Sequence, residues 1–519
     1  MALPRDVYRE LEDILGSENI SEDLAVLDGY AYQWPGELMG AGRFTPRAGA
    51  VVLPGNTEEV QAIIKLCNRR GIQSKASSTG YGVFNALGSE SAIQMDLRRM
   101  NRILEIDEKN MYIVVEPYVS FAQVQAEAMK RGLNCHVISA GSQCSFLASH
   151  TSMQGSAAQA HSLGMSGRNL LGAEWVLPTG EVVKVGSLGS GAGWFSGDGP
   201  GPSLRGIIRG SVGSCGGLGV FTKCACHLHP WPGPSVMEVK GVSPEYETEI
   251  PEMFKSCNVA FPDPKKFTDA AYKISEAGIA YVLHHAPYTF WQGAYATTSN
   301  NEFWDKYSRG ELEAPKWTLS ILLAANSPRE HEYQVNVLEK ILDETGGKIL
   351  VTEDPNFIKR NFLNTIKVCH ISRQCYRLTG SFFESAVFAM DSIDHSVVAT
   401  ETDEEPRKRY IEKGVIMDDG TDNNWMLMFE GGHYAETESL LEYDPTNPES
   451  VMGAGQYMQE GLGLSLQKPL NASFFAMGPF LPAVGPACGN YQNWMRKIKK
   501  AFDPNAVSDP SMYISAEEE

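Results

Sequence analysis

The run Ser77-Ser78-Thr79-Gly80-Tyr81-Gly82 consists of small residues around two glycines. Such a loop can bring several backbone N–H groups and hydroxyls to one anion, because no side chain blocks the approach. Pyrophosphate is the usual guest, and a plain Gly/Ser turn is the alternative. Two later turns, Ser139-Ala140-Gly141-Ser142 and Ser152-Met153-Gln154-Gly155-Ser156, could also pass close to a ring or phosphate. Proton transfer has a candidate in His433, within Glu430-Gly431-Gly432-His433-Tyr434. Histidine titrates near neutrality and would act as a base, with a packing or surface histidine as the alternative. Glu430, Tyr434 and Asn490 are weaker candidates, chosen because they would flank the same site. Arg373 and Arg377 could grip a carboxylate with two prongs, or be solvated helix-face arginines. His284-His285 with Tyr288 and Trp291 would form an aromatic wall or simply core. Cys224-x-Cys226 with His227 and His229 lacks a second pair at zinc spacing, and the alternation in TKCACHLHP reads as a strand. No metal site is expected.

These residues need elements to position them. Val51–Leu53 is an apolar run ended by Pro54-Gly55. A helix follows, with Val60, Ile63, Ile64 and Cys67 at helical spacing, Thr57 as expected cap and Gly71 as stop. Downstream, strands are expected at 92–96, 102–106 and 111–116, then a helix over 120–131. A hairpin is expected with Gly172–Leu177 paired to Glu181–Val185 through Thr179-Gly180. A helix Ser203–Ile208, a glycine-dense loop and a strand Val220–Cys226 complete this part. His229-Pro230-Trp231-Pro232-Gly233-Pro234 marks a boundary. Beyond it come strand–helix units: Ser235–Val242 with a helix 247–258, then Trp317–Ala324 with a helix 328–345. Two longer antiparallel strands follow, Trp425–Phe429 and Tyr434–Tyr443.

In this order, VVLPGNTEEVQAIIKLCNRRGI, STGYG, VVEP and the run from Gly213 through Gly219 to Val220 resemble the flavin domain of the vanillyl-alcohol oxidase / p-cresol methylhydroxylase superfamily. The C-terminal NYQNWMRKIKKAFDPNAVSDPSMYI resembles the closing segment of FAD-linked oxidases. The resemblance implies an α+β fold with a two-lobed FAD-binding domain over 1–232. An antiparallel-sheet substrate (cap) domain would span 233–485, and a segment 486–519 would return to the flavin domain. It implies that Ser77–Gly82 wrap the FAD pyrophosphate. Ser139, Gly141, Ser142, Ser152, Gly155, Ser156, Gly213, Gly219, Val220 and Asn490 would complete the cofactor site. Many members tether the flavin to a histidine near the first loop. Tyr81 stands here instead, so FAD is expected to be non-covalent. The chain is also similar to the D-lactate dehydrogenase / glycolate oxidase branch. Where that branch has a metal-holding Gly-Asp-Gly-Asn-x-His run, this chain reads FEGGHYAETESLLEYDP.

The implied activity is a dehydrogenase that oxidises a 2-hydroxy acid or other alcohol by hydride transfer to the flavin. The alternatives are an oxidase or hydroxylase of p-substituted phenols or aromatic alcohols, and a non-redox FAD enzyme like alkyl-glycerone-phosphate synthase. The net charge of −19 argues against nucleic acid or an anionic membrane as partner. No apolar run approaches the ~20 residues of a membrane helix. The ten cysteines lack a framework spacing, which suits a cytoplasmic protein with reduced thiols and no iron–sulfur cluster of its own. Electrons would therefore leave to a protein acceptor: an electron-transfer flavoprotein, or an iron–sulfur or cytochrome subunit. Oligomeric state stays open, a homo-oligomer included.

Overall fold

A computed structural model describes residues 2–33, 44–80, 86–138, 141–153, 155–191, 193–194, 203–209, 213–242, 246–285, 297, 299–311, 315–351, 356–367, 382–384, 387–418, 424–468, 470–471 and 477–517. Arg373, Arg377, Tyr81, Gly82, Ser139, Tyr288 and Trp291 lie outside them.

The first lobe is a four-stranded sheet ordered β1 (Ile20–Ser21), β2 (Ala50–Val52), β4 (Ile93–Asp96), β3 (Ser74–Ser77). β2, β4 and β3 run parallel, which requires a crossover. The helix Thr57–Arg70 supplies it and buries Val60, Ile63, Ile64 and Cys67 against the sheet. Glu58 and Glu59 lie in its first turn, Arg69 and Arg70 in its last, matching the helix dipole. Gly71 ends it at φ 63°. The cap is Asn56, whose side chain accepts the Glu59 N–H, and not Thr57. Thr57 is already helical, and its hydroxyl donates to Glu174 at 2.6 Å across to the next lobe.

The second lobe is antiparallel: β5 (Ile103–Asp107), β6 (Tyr112–Val115), β10 (Val220–His227), β8 (Leu170–Val176), β9 (Val182–Val185). The helix Phe121–Met129 packs against it behind a Ser120/Gln123 capping box. A ribbon of β7 (Leu133–Asn134) and β11 (His229–Pro230) closes the lobe. Trp175 is fully buried, donates to Leu218 O at 2.7 Å and stacks between Phe221 and Phe502. Phe502 belongs to the C-terminal helix Gln492–Phe502, so the chain's end is built into this core. From there Ser508 bridges Ser74 of β3, with Asp509 N–H donating to Ser74 O at 3.0 Å.

The remaining chain forms a seven-stranded sheet: β15 (Lys348–Ile349), β12 (Phe254–Phe261), β14 (Trp317–Ala324), β13 (Ala280–His285), β18 (Trp425–Phe429), β19 (Tyr434–Glu438), β17 (Ala389–Asp391). Every neighbouring pair is antiparallel. β16 (Phe382–Glu384) pairs with β20 (Leu440–Glu442) beside it. The helices Pro264–Ala277, Pro328–Thr345 and Ile393–Glu412 cover one face. The other face packs on the helix Phe357–Lys367 and on Ala158, Ala160 and Met165 of the N-terminal lobes. The helix expected over 247–258 is not formed. Residues 254–261 instead become β12, because Cys257, Val259 and Phe261 pack on the helical layer as one strand face. Ser235–Val242 forms no named strand and keeps only the Lys240–Glu247 bridge. No helix among the described residues is long and apolar enough to cross a membrane.

Candidate active site

β3 delivers the first loop. Ser77, Ser78, Thr79 and Gly80 line a cleft of about 500 Å³ together with Tyr30, Asp96, Arg98 and Tyr118. Gly80 has φ +68° and open space where a Cβ would stand, as a backbone cradle for an anion requires. Tyr30 donates to Asp96 at 2.5 Å, and Arg98 holds both Asp96 and Tyr30. Burial and then Asp96 push the Tyr30 phenol upward, while the Asp96 hydrogen bond raises the Arg98 guanidinium, so the cleft keeps a fixed cation. The loop's far side is pinned from behind. Buried Lys75 donates to Ala86 O at 2.7 Å and Ser511 Oγ at 3.0 Å, with Asp509 at 3.6 Å. Asp509 accepts the Gly88 N–H at 2.7 Å.

The second and third expected loops pack against protein. Ser142 O accepts the Ala122 N–H at 2.9 Å at the start of the helix Phe121–Met129, and the Cys144 N–H donates to Gly141 O at 3.1 Å. A Cβ on Gly155 would stand 2.0 Å from Ile138, and the Gly155 N–H donates to Ser166 Oγ at 2.7 Å. Ser152 O accepts the Cys215 N–H. A Cβ on Gly213 would stand 2.6 Å from Thr151 O, and one on Gly219 2.3 Å from Val176 O. These glycines let two backbones touch, and Val220 then opens β10.

The hairpin of His433 is a clasp between the layers. Glu430 N–H donates to Ala160 O at 2.9 Å and Gly431 N–H to His161 O at 2.7 Å. Glu430 pairs with Arg168, whose guanidinium lies 5.0 Å over the Tyr434 ring. His433 itself is exposed at the turn. Asn490 is likewise an exposed turn residue, φ 58°, between two helices. Neither lies in the cleft of Ser77–Gly80.

Cross-strand register assembles a different set. Residues directly opposite each other share a sheet face. Asn258 faces Ser320, Ser320 faces His284, His284 faces Leu427, Leu427 faces Glu436, and Glu436 faces Met390. This row crosses six strands on the face turned to the N-terminal lobes, where Leu427 and Met390 pack. Asn361 donates to Ser320 from the helix below at 3.3 Å. Glu438, two residues from Glu436 and so on the same face, stands opposite Trp425, on which His284 stacks at 5.8 Å. Ser156 of the second small-residue turn donates to Glu436 Oε1 at 3.0 Å. Burial lowers the His284 imidazole to about 3, with His285 adding to the effect, so it is neutral. Burial, then Glu436, drives the Glu438 carboxyl well above the usual carboxylate range. Of the expected cofactor residues, Ser156 alone among those described joins this face.

Residues 48–186 match the FAD binding domain family. An uncharacterized FAD-linked oxidoreductase of Mycobacterium tuberculosis is 27% identical over 226 residues, 43% of this chain and 46% of its own. Glycolate oxidase subunit GlcD of Bacillus subtilis is 24% identical over 231 residues, 44% of this chain and 46% of its own. The match thus spans less than half the length of these relatives. In three dimensions, p-cresol methylhydroxylase with substrate bound superposes with a TM-score of 0.72 at 17% identity, over 99% of this chain and 97% of that one. The family match over residues 48–186 therefore defines an FAD-binding flavoprotein. Beyond that domain the chain shares the overall fold of p-cresol methylhydroxylase.

Proposed function

We propose that this chain is an FAD-dependent dehydrogenase that oxidises a small hydroxylated substrate, a 2-hydroxy acid or another alcohol, and passes the electrons to a separate protein. The reading is carried by the polar row on the covered sheet face, tied by Ser156 to the second small-residue turn. FAD, when bound, supplies the hydride acceptor. The chain's own part is to hold and shield. Ser77–Gly80 cradle the pyrophosphate without a covalent tether, and Arg98 faces the same cleft. Leu427, Trp425 and Met390 exclude water around the polar row, which orients the hydroxyl. The likeness to GlcD supports a hydroxy acid, for which Arg373 and Arg377 would supply the carboxylate grip. A charge of −19 suits docking to a basic patch on an acceptor protein in the cytoplasm.

A phenol or aromatic alcohol as substrate is the second reading. It is favoured by the near-complete superposition on p-cresol methylhydroxylase and by the acidic character of the sheet face. Anaerobic bleaching of the flavin band by D-lactate, glycolate, p-cresol and benzyl alcohol tests both. Bleaching by at least one is expected. Bleaching by none, in a protein that dithionite reduces, would refute the redox reading and favour a non-redox FAD enzyme.

A further inference from the structure

We infer that Glu436 and Glu438 together form the proton-accepting group of this face, and that the substrate turns an uncharged hydroxyl, not a carboxylate, toward it. The inference rests on the redox reading above and narrows its substrate class. Strand β19 puts the two carboxyls side by side, and they hydrogen-bond to one another. Two carboxyls in hydrogen-bond contact hold one proton between them, because both cannot ionise at that distance where one is buried and the other half-buried. One oxygen is then a donor and another is an ionised acceptor. Ser156 fixes the Glu436 end by donating to Oε1.

The pair's surroundings single it out. Trp425 stands opposite Glu438 and Leu427 opposite Glu436, both on the apolar side that packs on the flavin lobes. Apolar residues would cover that layer at lower cost than two acids do. The other titrating group of the row, His284, stays neutral and brings no positive charge. Asn258 and Ser320 are neutral as well. A site of this kind accepts a proton from a neutral hydroxyl. The substrate O–H bond breaks, the proton joins the ionised carboxylate oxygen, and the bonding pair stays on the substrate oxygen. A carboxylate at the same place would set a further negative charge against the pair.

Three measurements on the FAD-loaded protein decide this. The first needs no variant: the infrared spectrum at pH 7 should contain a buried protonated carboxyl band. It should be lost or shifted in Glu438→Gln. The second compares benzyl alcohol with benzoate, a matched neutral and anionic pair, as ligands by calorimetry. Benzyl alcohol should bind at least tenfold more tightly, and Glu436→Gln/Glu438→Gln should narrow that ratio. The third is the rate of anaerobic flavin reduction by whichever hydroxyl compound bleaches the wild type. It should fall by about 10²- to 10⁴-fold in Glu436→Gln at unchanged FAD content, the usual loss of a general base. Should the glutamine variants fail to fold, Ser156→Ala, which keeps both carboxyls, should still weaken reduction and move the carboxyl band. Absence of the band, or benzoate binding as tightly as benzyl alcohol, would overturn the inference. So would reduction by a hydroxy acid at a rate untouched in the variants. Failure of every compound to bleach the wild type would instead overturn the redox reading itself.

Discussion

Exchanging Asp509 for asparagine should weaken both the fold and the grip on FAD, although no atom of Asp509 lines the cleft. Its carboxylate is fully buried and lies 3.6 Å from Lys75 Nζ, a side chain only 1% exposed. Burial lowers the Lys75 ammonium and Asp509 is the largest effect opposing that fall. Asp509→Asn leaves a buried cation without its countercharge, which costs about 3–5 kcal/mol. Lys75→Met costs a similar amount by removing the donor to Ala86 O and stranding the carboxylate. Lys75→Met/Asp509→Asn buries no charge, so its cost should stay near that of one single change. The coupling in a double-mutant cycle should then be about 3 kcal/mol. Chemical denaturation at pH 7 measures it. Flavin fluorescence on titration with FAD reads the functional side. Ala86 is the first described residue after the Ser77–Gly80 cradle, and its carbonyl is held by Lys75 and Ser511. Losing a charged hydrogen bond of ~1.5–3 kcal/mol there predicts roughly 10- to 150-fold weaker binding in Lys75→Met. Single effects that add within 0.5 kcal/mol, with FAD affinity unchanged, would refute the coupling between the chain's end and the cofactor loop.

Gly80→Val should abolish FAD binding while the apoprotein stays folded. Gly80 has open space around it but φ +68°, which a β-branched residue tolerates poorly. Recovery of yellow protein with normal flavin content would show the cradle is misplaced. His136 is fully buried, and burial, then His150, lowers it from 6.5 to about 3. The native state thus refuses a proton that the unfolded chain takes up below pH 6.5. Stability from this group is present above pH 6.5 and lost as pH falls toward 3. Between pH 7 and 5 the loss is about 2 kcal/mol, so His136→Leu should flatten the pH dependence of the denaturation free energy by that much. Parallel curves for the two proteins would remove His136 from the account.

How much of this was legible in the sequence depends on the range of the forces involved. The helix Thr57–Arg70 was legible because its apolar stripe, charged ends and Gly71 stop are all local. Its cap was misread by one residue, since Asn56 and Thr57 both have capping side chains and only the contact with Glu174 separates them. The strand Phe254–Phe261 was missed because its sheet neighbours come from far along the chain. The helix Pro264–Ala277 likewise carries local signals: Asp263 as cap, Pro264 in the first turn and Gly278 after the last. Glu436 and Glu438 were hidden for a different reason. Alternation in YAETE normally marks a sheet with one wet face, and its acids then point to solvent. Here helices cover one face and the flavin lobes the other, so the same alternation points acids into a covered layer. The row from Asn258 to Glu436 exists only in the register of five strands and has no trace in any one segment.

The conspicuous hairpin residues still have a physical purpose, and it explains why the acid pair can act. A proton acceptor on a sheet works only if the sheet is held at a fixed distance from what it serves. Here that distance is set at several separate points. Glu430 and Gly431 bond the carbonyls of Ala160 and His161, and Arg168 pairs with Glu430. His161 bonds Ala280 O at 3.1 Å and Ser275 Oγ at 3.2 Å. Asn134 donates to the Tyr281 hydroxyl at 2.7 Å. Gln125 and Gln159 both donate to Ile366 O, at 2.9 and 2.6 Å, which fixes the helix carrying Asn361. Nearly all these contacts are buried, where hydrogen bonds are costly to break and rigidify what they join. Glu430 accepts φ 52°, a strained value for its residue type, to make its contacts. The clasp thereby holds Ser156 against Glu436, and the chemistry falls to the next two inward-facing residues of the strand that the hairpin begins.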